Sequence, residues 1–185
     1  MTKNWLLYLS LLMCGLAGYT AYPVHAAQSE STSIAADEIG SRLPDFSLHD
    51  LKGHTVSSAD LRGKVVLIDF WGTWCQPCKK EMPGYQKLLD RYGPEGFAVV
   101  GFKVSMMKDT ENPLAFAKRI GVLYPLVVAT DELTEKFGGI EGLPTTLIYD
   151  REGILRKKII GFEYTSAIEA AIKPMLEQHS MFKGK

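Results

Sequence analysis

Residues 65–81 read Val65-Val66-Leu67-Ile68-Asp69-Phe70-Trp71-Gly72-Thr73-Trp74-Cys75-Gln76-Pro77-Cys78-Lys79-Lys80-Glu81, and their pattern decides the fold. Val65 to Trp71 is a nearly continuous apolar run, which predicts a central strand buried on both faces. After the cysteines, Met82, Tyr85, Leu88, Leu89 and Tyr92 recur at three- and four-residue steps. That stripe predicts a helix running to about Gly93, with Pro83 expected to kink it. Cys75 therefore falls where a strand gives way to a helix. There, unpaired backbone amides and the positive end of the helix dipole favour a thiolate, the species that attacks sulfur. Cys78 follows one helical turn inward, placed to attack a mixed disulfide that Cys75 forms with a partner. Pro77 suits the first turn, where its missing amide hydrogen costs nothing. Gln76 and Pro77 lie between the sulfurs, where they tune the couple and face an incoming partner.

Three cysteines are present, and Cys14 lies in the N-terminal segment, so Cys75 and Cys78 pair with each other or stay free. A two-residue spacer constrains little of the unfolded chain, which argues against a structural staple. A zinc site needs two more ligands, and beyond the N-terminal segment the histidines are His49, His54 and His179, none spaced as a pair. Redox chemistry remains, with no metal and no cofactor expected beyond the sulfur pair itself.

The chain has 185 residues, 46% of them hydrophobic, enough for one well-buried core and too few for two comfortable domains. A monomer is expected. Lysine plus arginine equals aspartate plus glutamate, and the longest basic run is Arg156-Lys157-Lys158, so no nucleic-acid footprint is indicated. Between Lys3 and Glu30 there is no charged Asp, Glu, Lys or Arg. Residues 1–26 read as a signal peptide, with Lys3, an apolar stretch from Trp5 to Leu16, and Val24-His25-Ala26 as a cleavage site. An uncleaved membrane anchor is the alternative, since Trp5 to Tyr22 approaches the roughly 20 residues that span a bilayer. Lipid modification of Cys14 is a third reading, disfavoured by the bulk of Met13. Residues 27–41 read as a flexible tether and residues 42–180 as the globular domain. All three readings export the domain to the periplasm or the outer face of the cytoplasmic membrane, an oxidising compartment.

Pro44 to Val56 predicts a hairpin turning at Lys52-Gly53. Phe97 to Val104 predicts a second buried strand, Leu114 to Ile120 a helix, Leu126 to Val128 a short strand, and Glu132 to Phe137 a short helix. Thr145 to Tyr149 and Ile154 to Ile160 predict an antiparallel pair joined at Asp150-Arg151-Glu152-Gly153. A last helix carries Ile168, Ala171, Ile172 and Met175, with Ser166 and Glu169 as a capping box and Pro174 as a bend. The order is βαβ, an inserted helix and strand, then ββα, an α/β fold with a mixed central sheet and helices on both faces.

With these motifs assembled, the chain resembles the thioredoxin superfamily, specifically the TlpA/ResA group of exported, membrane-associated thioredoxin-like proteins. The resemblance covers about residues 42 to 178. It rests on Pro44-Asp45-Phe46, Leu61-Arg62-Gly63-Lys64, Phe70 to Glu81, and Gly142-Leu143-Pro144-Thr145-Thr146. It implies a thioredoxin fold with an N-terminal β-hairpin extension and a central helix-strand insertion. It also implies a cis Pro144 beside the sulfurs, where the Leu143-Pro144-Thr145 loop pairs with an extended substrate. By the same resemblance, disulfide-containing envelope proteins are the partners, apocytochrome c the leading substrate, and a membrane thiol protein the electron donor.

Two carboxylates complete the expected site. Asp69 lies mid-strand, so its carboxyl should be desolvated, its pKa raised, and its role that of acid or base for Cys78. Glu81, three residues after Cys78, shares its helix face, and ResA-like proteins use a glutamate here to tune the cysteines. An ordinary solvated helix face is the competing account of Glu81. Many relatives in this group carry an uncharged residue in place of Asp69, so with both acids present neither proton-transfer scheme of the family carries over directly. Packing is the expected job of Trp71, and contact with a partner that of Trp74. The rival functions are a disulfide-inserting oxidase of the same fold, a thiol peroxidase, and a metal-binding or chaperone module. The peroxidase reading lacks the Pro-x-x-x-Thr-x-x-Cys setting of a lone peroxidatic cysteine.

Overall fold

Strand β3 (Val65–Trp71) is buried at all seven positions and lies in the middle of a five-stranded sheet. A computed structural model of the chain describes residues 39–105, 109 and 111–178. The expected leader, Cys14, most of the tether and His179 lie outside the described residues. The sheet runs β5-β4-β3-β6-β7, with β4 (Phe97–Val104) and β5 (Leu126–Ala129) parallel to β3, and β6 (Thr145–Tyr149) and β7 (Leu155–Ile160) antiparallel. A separate hairpin, β1 (Ser47–His49) and β2 (Thr55–Ser57), precedes it. At its turn Asp50 accepts the amides of Lys52 and His54, a side chain standing in for backbone partners.

Alternation along β3 sends its side chains into two cores. Val65, Leu67 and Trp71 pack with α1 (Gln76–Tyr92), α2 (Pro113–Ile120) and α4 (Thr165–Glu177), with Trp71 stacked on Phe116 at 5.1 Å. Val66, Ile68 and Phe70 face the opposite layer, where Phe46, Phe102 and Phe137 interlock near α3 (Asp131–Lys136). The inserted α2 and β5 thus extend the sheet by one parallel edge strand, as the residue pattern implied.

Two local expectations change. The domain begins before residue 42, because the Gly40 amide donates to the Leu155 carbonyl and the Leu155 amide to that of Ser41, fastening the end of the expected tether to β7. The Ser166–Glu169 capping box does not form. Helix α4 starts two residues earlier, with Tyr164 as its N-cap, and Glu169 instead accepts from Arg91 (2.7 Å) and Tyr92 (2.5 Å), tying α4 to α1. Helix α1 runs past Pro83 to Tyr92, as its apolar stripe predicted, and α4 runs past Pro174 to Glu177.

Far from the cysteines, one guanidinium joins three segments: Arg151 donates to the carbonyls of Gly63 (2.8 Å), Glu95 (2.7 Å) and Leu176 (3.2 Å). Gly96 makes room for it; a Cβ there would stand 2.6 Å from Arg151 Nη1, on a backbone with φ of 90°.

Gly84 marks the close approach of α1 to the start of α4. A Cβ there would lie 2.0 Å from Thr165 Oγ1, 3.1 Å from its Cβ and 3.2 Å from its Cγ2. Gly84→Ala should therefore destabilise the domain by about 1–3 kcal/mol despite alanine's better helix propensity. Adding Thr165→Ala, which removes two of those three atoms, should recover part of the loss in urea unfolding.

Candidate active site

The chain leaves β3 at Trp71 and re-enters regular structure at Gln76, so four residues place the first sulfur. Their turn is closed by the Cys75 amide donating to the Gly72 carbonyl at 3.1 Å. Cys75 is the N-cap of α1, and its Sγ accepts the Cys78 amide at 3.2 Å, the arrangement that favours negative charge on that sulfur once the pair is reduced. Cys75 and Cys78 are disulfide-bonded, with Cα atoms 5.3 Å apart. Cys78 is fully buried and Cys75 3% exposed, so the attacking sulfur is the more accessible one. Gln76 and Pro77 are exposed beside them.

The second wall comes from β6. Its register sets Thr145 opposite Phe70, which brings Pro144 level with Trp71 at the end of β3 from which the cysteine turn departs. The Leu143–Pro144 peptide is cis, as the resemblance implied. Leu143 packs against the cluster that contains both cysteines, and the Pro144 carbonyl accepts the Gly161 amide at 2.8 Å. Thr145 is buried, with its hydroxyl given to the Gly142 carbonyl at 2.7 Å, so this side chain shapes the loop rather than facing outward. Trp74 is half-buried over Gly72, where a Cβ would lie 3.0 Å from the indole nitrogen.

Both carboxylates are inside. Asp69, on the α1-facing side of β3 by alternation, has no exposed surface, and neither oxygen has a hydrogen-bond partner among the described residues. Burial, and then the charge of Glu81, push its pKa well above the usual carboxylate range. Glu81 is 1% exposed, which removes the solvated-face account. Its Oε2 accepts the Glu163 amide at 3.3 Å. Burial raises its pKa to about 7, against the lowering effect of that amide and of the Tyr85 hydroxyl. Tyr85 shares a hydrogen bond with Thr146 at 2.9 Å, and Thr146 is the register partner of Asp69. The Tyr124 hydroxyl is buried in the same region and feels the charges of Asp69, Tyr85 and Glu81.

The sequence reading passed over the loop between β7 and α4. Phe162 and Tyr164, 42% and 69% exposed, meet edge to face at 5.1 Å and, with Pro77 and Lys80, line a hollow of about 470 Å³. Two aromatics just before a helix start look like ordinary helix-entry residues in sequence; their exposure is what sets them apart.

Comparison with known proteins agrees with this geometry. The model of the AhpC/TSA family matches residues 39–158. The thiol-disulfide oxidoreductase ResA of Geobacillus thermodenitrificans is 37% identical over 151 residues, 82% of this chain and 83% of that protein. The thioredoxin-like protein YneN of Bacillus subtilis is 33% identical over 162 residues, 87% of this chain and 92% of its own. A thiol:disulfide interchange protein of the thioredoxin family from Chlorobium tepidum superposes with a TM-score of 0.67 at 31% identity, covering 76% of this chain and 99% of that one.

The raised acids make stability depend on pH with a definite sign. A carboxyl whose folded pKa exceeds its unfolded value binds its proton more tightly when folded, so its contribution is complete below the unfolded pKa and is lost as pH rises through the folded one. For Glu81 that window runs from about 4.3, the ordinary glutamate value, to about 7. The oxidised protein, whose sulfurs do not titrate, should lose stability from pH 5 to pH 8. Glu81→Gln should flatten that decline by an amount on the order of 2 kcal/mol in urea unfolding.

Proposed function

This chain belongs to the AhpC/TSA family, among its TlpA/ResA-like thioredoxins, and from that premise we propose that it reduces disulfides in proteins of the cell envelope. It is a thiol-disulfide oxidoreductase. The observation that carries the proposed route is Cys75 as the N-cap of α1, bonded to a buried Cys78 with two protonatable acids on the same side of the sheet, while the direction follows the family resemblance.

In the proposed cycle the Cys75 thiolate attacks one sulfur of a substrate disulfide. That bond breaks, a Cys75–substrate bond forms, and the substrate's other sulfur leaves as a thiolate and takes up a proton. Asp69 accepts the proton of Cys78, whose thiolate attacks Cys75 Sγ. The second substrate thiol is released and the Cys75–Cys78 bridge closes. The enzyme's sulfurs have given the substrate two electrons; of its two protons one comes from Cys78, passed on by Asp69 to the leaving sulfur, and one from solvent, into which Cys75 released its own on becoming a thiolate. Glu81 tunes the pair from the side of the β7–α4 loop. Gln76, Pro77, Trp74 and the Leu143–Thr145 loop form the surface that receives the substrate, and the exposed Phe162 and Tyr164 widen its apolar rim. A membrane thiol protein restores the dithiol. Export to the periplasm or outer membrane face, through a cleaved leader or a retained anchor, puts the domain beside such substrates, and apocytochrome c before haem attachment is the one the family resemblance favours.

Direction rests on potential, since an oxidase uses the same fold. Equilibrating the Cys75–Cys78 couple with glutathione should place it near the reducing end of known motif enzymes, about −270 mV; a value near about −120 mV would make the protein an oxidase. Cys78→Ser, expressed in the envelope, should accumulate a mixed disulfide on Cys75 whose partner mass spectrometry names. Recovery of apocytochrome c supports the substrate assignment, and recovery of other proteins without it rejects that assignment.

A further inference from the structure

Lys103 is 5% exposed, near the end of β4 and in register with Trp71 of β3. Its ammonium donates to Asp109 Oδ2 and, at 3.3 Å, to Ser105 Oγ. The other Asp109 oxygen accepts the Thr73 hydroxyl at 2.6 Å. Thr73 is itself 3% exposed and lies inside the four-residue turn that ends at Cys75. A charged side chain is thus held in the interior, its carboxylate partner coming from the segment after β4 and ending on the cysteine turn. Lysine is seldom buried in this way unless paired, and an apolar residue serves packing as well or better. The cost of keeping this pair needs a reason, and its position supplies one.

We propose that Lys103 and Asp109 are positioning residues for disulfide exchange: a buried ion pair that holds the Gly72–Trp74 turn through the Thr73 hydroxyl and keeps the charge beside Cys75 balanced. The cation alone, in a low-dielectric setting, would stabilise a thiolate on Cys75 and so favour the reduced protein; Asp109 cancels that pull. Asp109 sits one hydrogen bond and two residues from the reacting sulfur, so its charge bears on the couple while its second oxygen fixes the backbone. This inference rests on exchange at Cys75, though not on its physiological direction.

The test is the equilibrium in which two glutathione thiols reduce the Cys75–Cys78 bridge, yielding the dithiol and glutathione disulfide. Asp109→Asn can still accept the Thr73 hydroxyl but leaves the ammonium uncompensated, and its constant should rise by at least about threefold. Lys103→Met removes the positive member of the pair and keeps the negative one, and its constant should fall by a similar factor. Asp109→Glu, which keeps the charge, should stay nearer the wild type than Asp109→Asn. A merely structural pair would lower the melting temperature in both variants without opposite movements of the constant. Shifts of the same sign, or constants within twofold of wild type, overturn the proposal. Should Lys103→Met fail to fold, the asparagine and glutamate variants decide it by the same criterion. A wild-type couple at the oxidising end would reject the reductant reading while leaving these opposed shifts intact.

Discussion

Strand β3 is hydrogen-bonded on both edges and packed on both faces, and the site is measured from its carboxyl end. Because β4 and β6 fix its register, the departure point of the chain at Trp71 is fixed too, and with it the start of α1. The same pairing with β6 delivers the Leu143–Pro144 peptide to that end from a segment remote in sequence. A slip of one residue in either pairing would turn Asp69 to the opposite face and detach the proline loop from the sulfurs. The seven buried side chains of β3 therefore act as more than core: they locate the chemistry.

What the register locates is electrostatic as well as geometric. Asp69 and Glu81 sit in one desolvated region with two tyrosine hydroxyls, and the charge of one raises the proton affinity of the other. The charge on Glu81 adds to burial in holding the proton on Asp69, so ionising the one makes ionising the other harder. That arrangement suits a resolving thiol that must lose a proton away from water. Glu81 Oε2 takes the amide of Glu163, in the loop carrying Phe162 and Tyr164. The aromatic rim and the buried acid thus share a single loop.

Most of this was legible in residues 65–81. A run of seven apolar or β-branched positions interrupted by one aspartate admits few readings, and a Cys-x-x-Cys placed directly after it admits fewer. The buried state of Asp69 followed from its neighbours alone. That of Glu81 did not, since two lysines precede it and only the packing of the β7–α4 loop over α1 excludes water. The capping box failed because the helix begins behind Tyr164, which puts Ser166 inside the first turn, while Arg91 and Tyr92 on α1 take the Glu169 carboxylate. The pairing of Lys103 drew no reading, because its partner Asp109 comes from a segment with no periodicity to announce it. Local patterns were readable wherever one element decides the outcome, and were silent where two distant segments meet.

The Arg151 fork lies at the end of the sheet away from the cysteines, gathering the turn before β3, the turn before β4 and the last turn of α4. Its consequence is a gradient of local opening across the molecule. Three backbone carbonyls share one charge-assisted donor there, so parting any one of the segments breaks a bond that also holds the other two. Fluctuations that do not unfold the whole domain are thereby directed toward the opposite end, where the loops carrying Phe162, Pro144 and Trp74 meet. An exchange enzyme must let a second polypeptide lie against its sulfurs and then let it go, and a scaffold fastened at one end concentrates its compliance where that exchange of chains occurs.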